Sequence, residues 1–153
     1  MSDLIILMRV ILSGVSGALV GFERERFDKP AGLRTHILIC SGACIFTCIT
    51  FILDSSLSIK HLTFDASRII AYTITSIGFV CSGVIWKSGE GIEGTTTAAN
   101  LWTLVGVGIL IGLGKYLLGF SISLLIFMIL QIKYIPHIDK VRRFFKLPKE
   151  GKK

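Results

Sequence analysis

The sequence predicts an all-α membrane protein, a polytopic helical bundle of about five transmembrane helices. Composition is the first observation: hydrophobic residues fill 52% of the 153 positions and charged residues only 18%, with a mean hydropathy of +0.71. That leaves too little polar surface to coat a soluble globule of this size. The second is segmentation. Apolar residues gather into runs at 4–22, 36–53, 69–86, 98–114 and 116–135, each close to the ~20 residues that cross a hydrocarbon core at ~1.5 Å per residue. The third is the placement of charge, which falls largely between the runs.

With the N-terminus outside, the inner side holds Arg24, Arg26, Lys29, Arg34, Lys87 and the basic residues from Lys133 to Lys153. Lys60, Arg68 and Lys115 stand outside, and Arg9 lies within the first run. By the positive-inside rule this asymmetry predicts an N-out, C-in orientation. It also accounts for the net charge of +7 through orientation and attraction to anionic lipid, so no nucleic-acid partner is implied. Residues 1–135 are then a transmembrane domain and residues 136–153 a short basic cytoplasmic tail. Val141, Phe144, Phe145 and Leu147 among the tail's cations fit an interfacial amphipathic helix. Met1-Ser2-Asp3 lacks the basic start of a cleaved signal peptide.

In the first helix, Arg9, Ser13, Gly17 and Gly21 recur every fourth residue on one side, and small residues at that spacing let another backbone approach closely. Arg9 either snorkels outward or pairs with a carboxylate, Asp65 being the candidate at the same end. Beyond the run, Glu23, Arg24 and Glu25 meet a Pro30-Ala31-Gly32 turn and Arg34, a charged cluster at the membrane boundary.

The second helix carries Cys40, Cys44 and Cys48 as another stripe. Thiols one turn apart on a helix cannot bridge to one another, so they read as small packing residues; a His36–Cys40 metal site is the alternative, short of ligands for a closed zinc site. Asp65 stands as N-cap of the third helix, with Arg68 within ion-pair reach. Ser76, Gly78, Cys81, Ser82 and Gly83 predict that this helix packs on more than one side or lines a pore. The glycine-rich stretch with Glu90 and Glu93 predicts a mobile inner loop. Thr95, Thr96 and Thr97 place hydroxyls at the fourth helix's start, for capping or for an anion. Asn100 needs a partner if buried, and Trp102 suits an interface. Gly112, Gly114 and Lys115 divide the last two runs as a helical hairpin.

Taken in order, Gly17-x-x-x-Gly21-x-Glu23-Arg24-Glu25, Ala31-Gly32-Leu33-Arg34-Thr35, Asp65-x-x-Arg68, Ile77-Gly78-Phe79 with Gly83, and Gly94-x-Thr96-Thr97-Ala98-Ala99-x-x-Trp102 resemble the membrane domain of the MgtC/SapB family. Glu23, Arg24, Glu25, Gly32, Arg34, Asp65, Arg68, Gly78, Gly83, Thr96, Thr97 and Trp102 fall on its motif positions, while Thr95 stands where Leu is common and Ser82 where Ala is common. The resemblance implies a bacterial inner-membrane protein linked to low magnesium, acid stress and virulence-linked survival in host phagocytes. It further implies a regulator, including of the F-type ATP synthase and membrane potential. Many members continue into a soluble cytoplasmic domain where this sequence has a short basic tail, so activity is expected from the membrane core.

Two function classes follow. In the first, a regulator, the Gly17/Gly21 and Gly78/Gly83 faces pack within the chain or against a partner, a second copy included. Glu23, Arg24 and Arg34 then form an ion-pair cluster. In the second, a small ion or solute transporter with Mg²⁺ as a candidate ion, Arg9, Asp65, Asn100 and the threonines line a polar path. No Asp or Glu lies inside the five runs, which weighs against direct Mg²⁺ conduction. An enzyme is not expected: no nucleophile–base pair or phosphate loop is present, and His36, His61 and His137 are scattered. No cofactor is implied.

Overall fold

The computed structural model describes residues 2–58, 65–89 and 91–132. One helix forms for each apolar run: α1 Asp3–Arg26, α2 Leu33–Ser58, α3 Ala66–Gly83, α4 Thr95–Gly112 and α5 Tyr116–Gln131. Helices α1, α2 and α4 are long and apolar enough to cross a membrane, and α5 is a shorter apolar helix over its described length. The chain is a nearly all-α membrane protein. The expected end of the fifth run and the basic tail lie outside the described residues.

Helix α1 continues a full turn past its apolar run and takes the Glu/Arg cluster into the helix. Asp3 in its first turn and Arg24 and Arg26 in its last complement the helix dipole. The chain reverses through Asp28, at φ 48°, with Lys29 N donating to Arg24 O at 3.0 Å. Helix α2 then returns against α1.

Glycines set how closely these helices approach. A Cβ at Gly17 would lie 2.6 Å from His36 O, and one at Gly21 2.8 Å from His36 Cβ. Along a neighbouring strip of α2, Gly108 of α4 meets the Cys40 carbonyl, and a Cβ at Gly112 would lie 2.7 Å from Thr47 Cβ. On the strip that faces both glycine pairs, α2 has room only for small side chains. Cys40, Cys44 and Cys48 supply them, buried in one core with Val20, Leu104 and Ile111, as small apolar packing residues. Ser13 of α1 joins the seam by donating to Cys40 O at 2.7 Å.

Helix α3 departs from expectation. Only Ile77 and Cys81 of it are buried, in a second core with Ala98, Leu101 and Val105. It leans on α4 and α2 along one narrow stripe instead of packing on several sides. Asp65 is its N-cap, accepting from Ser67 N at 3.0 Å and Ser67 Oγ at 2.6 Å.

The stretch expected as a mobile loop forms a two-stranded antiparallel ribbon, β1 Trp86–Ser88 and β2 Gly91–Glu93, with Trp86 opposite Glu93. Glu90 lies outside the described residues. Gly94 follows at φ 85° as the N-cap of α4, with no side-chain cap, and a Cβ there would collide with the Val84 carbonyl. A positive-φ glycine, not a threonine hydroxyl, therefore starts this helix. The α4–α5 hairpin closes where expected, with Gly114 N bonded to Ile111 O and Lys115 N to Leu110 O, both at 2.9 Å.

Candidate functional site

The buried charged residues of the bundle interior, Glu23 and Arg24, lie with His36 and Asn100 where α1 ends, α2 begins and α4 begins. Glu25 is exposed, and its Oε2 accepts from Leu33 N at 2.7 Å, so a carboxylate from the preceding helix satisfies a free donor at the positive end of α2. Gly32 makes this possible, because a Cβ there would sit 2.8 Å from that oxygen. Glu25 and Gly32 thus fasten the turn together.

Glu23 and Arg24 point inward from the same turn. Glu23 is 1% exposed and Arg24 4%, and Glu23 Oε2 lies 3.4 Å from Arg24 Nη1. Among the described residues, neither Glu23 oxygen has a hydrogen-bond donor and Arg24 Nε has no acceptor. Two charges are therefore buried with their hydrogen-bonding capacity largely unspent, an expensive arrangement away from water. The apolar run ends at Phe22, but its helix does not, and Glu23 is carried into the bundle as a buried carboxylate.

His36 of α2 is buried against the same end of α1, its Cβ 2.8 Å from a Cβ built at Gly21. Its Nδ1 is 2.7 Å from Gly32 O and its Nε2 is 2.9 Å from Asn100 Nδ2. A carbonyl can only accept, so Nδ1 carries the proton and Nε2 accepts from the Asn100 amide. The bond spans α2 and α4, ties the interior end of the bundle together, and leaves Asn100 Oδ1 without a partner among the described residues. Chemically, the cluster holds one carboxylate, one guanidinium, one imidazole and one amide oxygen. Among the described residues no three His, Cys, Asp or Glu side chains converge as a metal site.

The other sequence-selected residues scatter. Arg34 is exposed, and among the described residues the ion pair at this boundary is Glu23–Arg24, without it. Thr97 is buried, whereas Thr96 and Trp102 are exposed. Asp65 and Arg68 are exposed at the start of α3. Arg9 does not pair with Asp65: its Nη1 donates to Gly112 O at 2.5 Å and its Nε to Tyr116 Oη at 3.1 Å. With Arg9 at the α4–α5 turn and Asn100 at the start of α4, the expected polar path is not assembled. Gly78 and Gly83 have no neighbour within 4 Å of a built Cβ, so they do not pack within the described chain. Sequence reasoning missed Gly108 and Gly112 as a packing pair, although their i, i+4 spacing is the signal that picked out Gly17 and Gly21. It also missed His36 as the partner of Asn100, for which no local signal exists.

The MgtC family pattern matches residues 10–137. The chain belongs to the MgtC family. Over 127 residues it is 36% identical to the Escherichia coli K12 protein named "Putative magnesium transporter YhiD", covering 82% of this chain and 59% of that one. Over 110 residues it is 36% identical to Protein MgtC of Salmonella typhimurium, covering 72% of this chain and 44% of that one. Protein SapB of Bacillus subtilis is 31% identical over 137 residues, 87% of this chain and 57% of SapB. This MgtC-family chain thus spans about half the length of the curated relatives it matches. No solved structure matches it.

Proposed function

We propose that this chain is a multi-pass protein of the bacterial inner membrane, N-terminus outside, that regulates ion homeostasis and stress adaptation through contacts with another membrane protein. The observation that carries this reading is the outward face of α3. Phe79 is 85% exposed beside Gly78 and Gly83, where a built Cβ meets open space. A bulky knob next to backbone-deep gaps is a surface into which a partner helix fits, because close packing is what drives helix association in lipid. The name of the YhiD relative ties it to magnesium. The family resemblance supplies low-magnesium and acid adaptation as the setting and the F-type ATP synthase as the partner to test first.

Photocrosslinking from position 79 in native membranes tests the reading, with Phe22, an exposed residue of α1, as the control position. A protein adduct from 79 that is absent from 22 is expected. Lipid adducts alone at both positions would rule the partner face out. A second reading, a small ion or solute transporter with Mg²⁺ as a candidate ion, is favoured by the buried Glu23 carboxylate, a group that membrane interiors hold chiefly for transport or proton relay.

A further inference from the structure

At the opposite end of the bundle from Glu23, the Arg9 guanidinium is held in a fixed pose with part of its capacity unspent. Gly112 O and Tyr116 Oη take Nη1 and Nε. The Phe51 and Tyr116 rings flank the guanidinium at 5.8 and 5.9 Å, and its Nη2 side faces the Gly114 turn, where a Cβ would lie 3.1 Å away. Asp3, Asp54 and Asp65 are the described carboxylates of this end, and none forms an ion pair with it. Among the described residues, this fixed cation has no counter-ion.

Directly inward from Tyr116 runs a groove of about 370 Å³ between α1 and α5, floored by Ile111 of α4 and lined by Leu12, Val15, Tyr116, Leu117 and Phe120. Leu117 is 83% exposed, so the groove opens to the membrane. Lys115, exposed at the hairpin turn, marks the level of the membrane surface.

We infer that this is a binding site for one anionic phospholipid, its phosphate against Arg9 and Lys115 and an acyl chain in the groove. Each half argues for the other. A guanidinium matches phosphate geometry through paired N–H donors, and Arg9 retains Nη2 for that purpose. The apolar groove begins at the very tyrosine that holds Arg9, so a molecule with a phosphate and a hydrocarbon chain meets both at the depth where lipids carry them. Juxtamembrane cations attract anionic lipid electrostatically; here the fixed pose and the groove add selectivity for the whole lipid over a free anion.

The test is native mass spectrometry of the full chain, purified in detergent and supplied with equal amounts of phosphatidylglycerol and phosphatidylcholine. Preferential retention of one phosphatidylglycerol is expected, about tenfold over phosphatidylcholine if the charge contact is worth the ~1.4 kcal/mol of one decade in affinity. Arg9→Gln should abolish the preference, Arg9→Lys should keep part of it, and Val15→Trp, which fills the groove without touching the Arg9 bonds, should weaken retention of both lipids. Equal retention of the two lipids, or a preference unchanged by both Arg9→Gln and Val15→Trp, would overturn the site. Displacement of the lipid by millimolar inorganic phosphate would overturn it in favour of a simple anion site, and a dimer that excludes lipid would give the groove to a second copy.

Discussion

At the residue scale, the energetic stake lies in polar groups buried with a single partner each. Replacing Asn100 by Ala leaves His36 Nε2 unpaired inside the bundle. We expect a loss of about 1 kcal/mol, the size of interhelical hydrogen bonds in membranes, measurable as a lowered midpoint in detergent unfolding. A double-mutant cycle with His36→Phe should recover a coupling of the same size. Outside the membrane-spanning part, the Ser67 hydroxyl and amide hold the Asp65 carboxyl below its ordinary range. Its cap therefore supports the start of α3 fully above the unfolded value near ~3.9 and loses that support as pH falls through the lowered folded value. Protection of the Ser67 and Arg68 amides, taken relative to their intrinsic exchange rates at each pH, should fall over that acid window in the parent chain and stay constant in Asp65→Asn, which still caps. The Asp65 cap was legible because capping is local. The Asn100–His36 bond was not, because it joins residues 64 apart and depends on how two helices rotate against each other. Arg9 was singled out for the right reason, a cation inside an apolar run, but its partners are a backbone carbonyl and a tyrosine, which no charge-pairing rule selects.

At the element scale, α2 is the strut of the bundle, pressed by glycine faces of α1 and α4, whereas α3 rests on it by a thin stripe. These two environments predict opposite outcomes for the same substitution. Gly17→Ala drives a methyl group to 2.6 Å from the His36 carbonyl and should cost about 1–3 kcal/mol as overpacking. Gly78→Ala meets open space and should be neutral or stabilise α3 by about 0.5–1 kcal/mol through lower backbone entropy in the unfolded chain. Thermal unfolding of the two variants in detergent checks the contrast. Equal losses would mean that α3 is as tightly packed as α2. The five helices themselves were readable because each apolar run is set by membrane thickness and bounded by charge or glycine. The ribbon 86–93 was read as a loop because three-residue strands leave no periodicity. The small residues of α3 signal close approach without saying whether the approaching helix belongs to the same chain.

At the scale of the whole molecule, the bundle is closed where its helices touch backbone to backbone and open on its outer faces. The charged groups of its interior lie at its two ends: the partly buried Arg9 at the α4–α5 turn, and Glu23 and Arg24, with His36 and Asn100, where α1 ends. Between them lie the cysteine stripe and the apolar core, a poor route for an ion and a stiff frame for presenting a surface. Composition alone made the membrane class legible, and the ordered motifs made the family legible. The division between regulator and transporter was not, since it depends on whether those motif residues converge into a path. The most direct measurement is ion flux and membrane potential in proteoliposomes holding only the purified chain, under a Mg²⁺ gradient. We predict no saturable flux in vesicles where a known transporter works in parallel. Saturable Mg²⁺-dependent flux that falls on Glu23→Gln would contradict the regulatory account and make the buried carboxylate part of a permeation path.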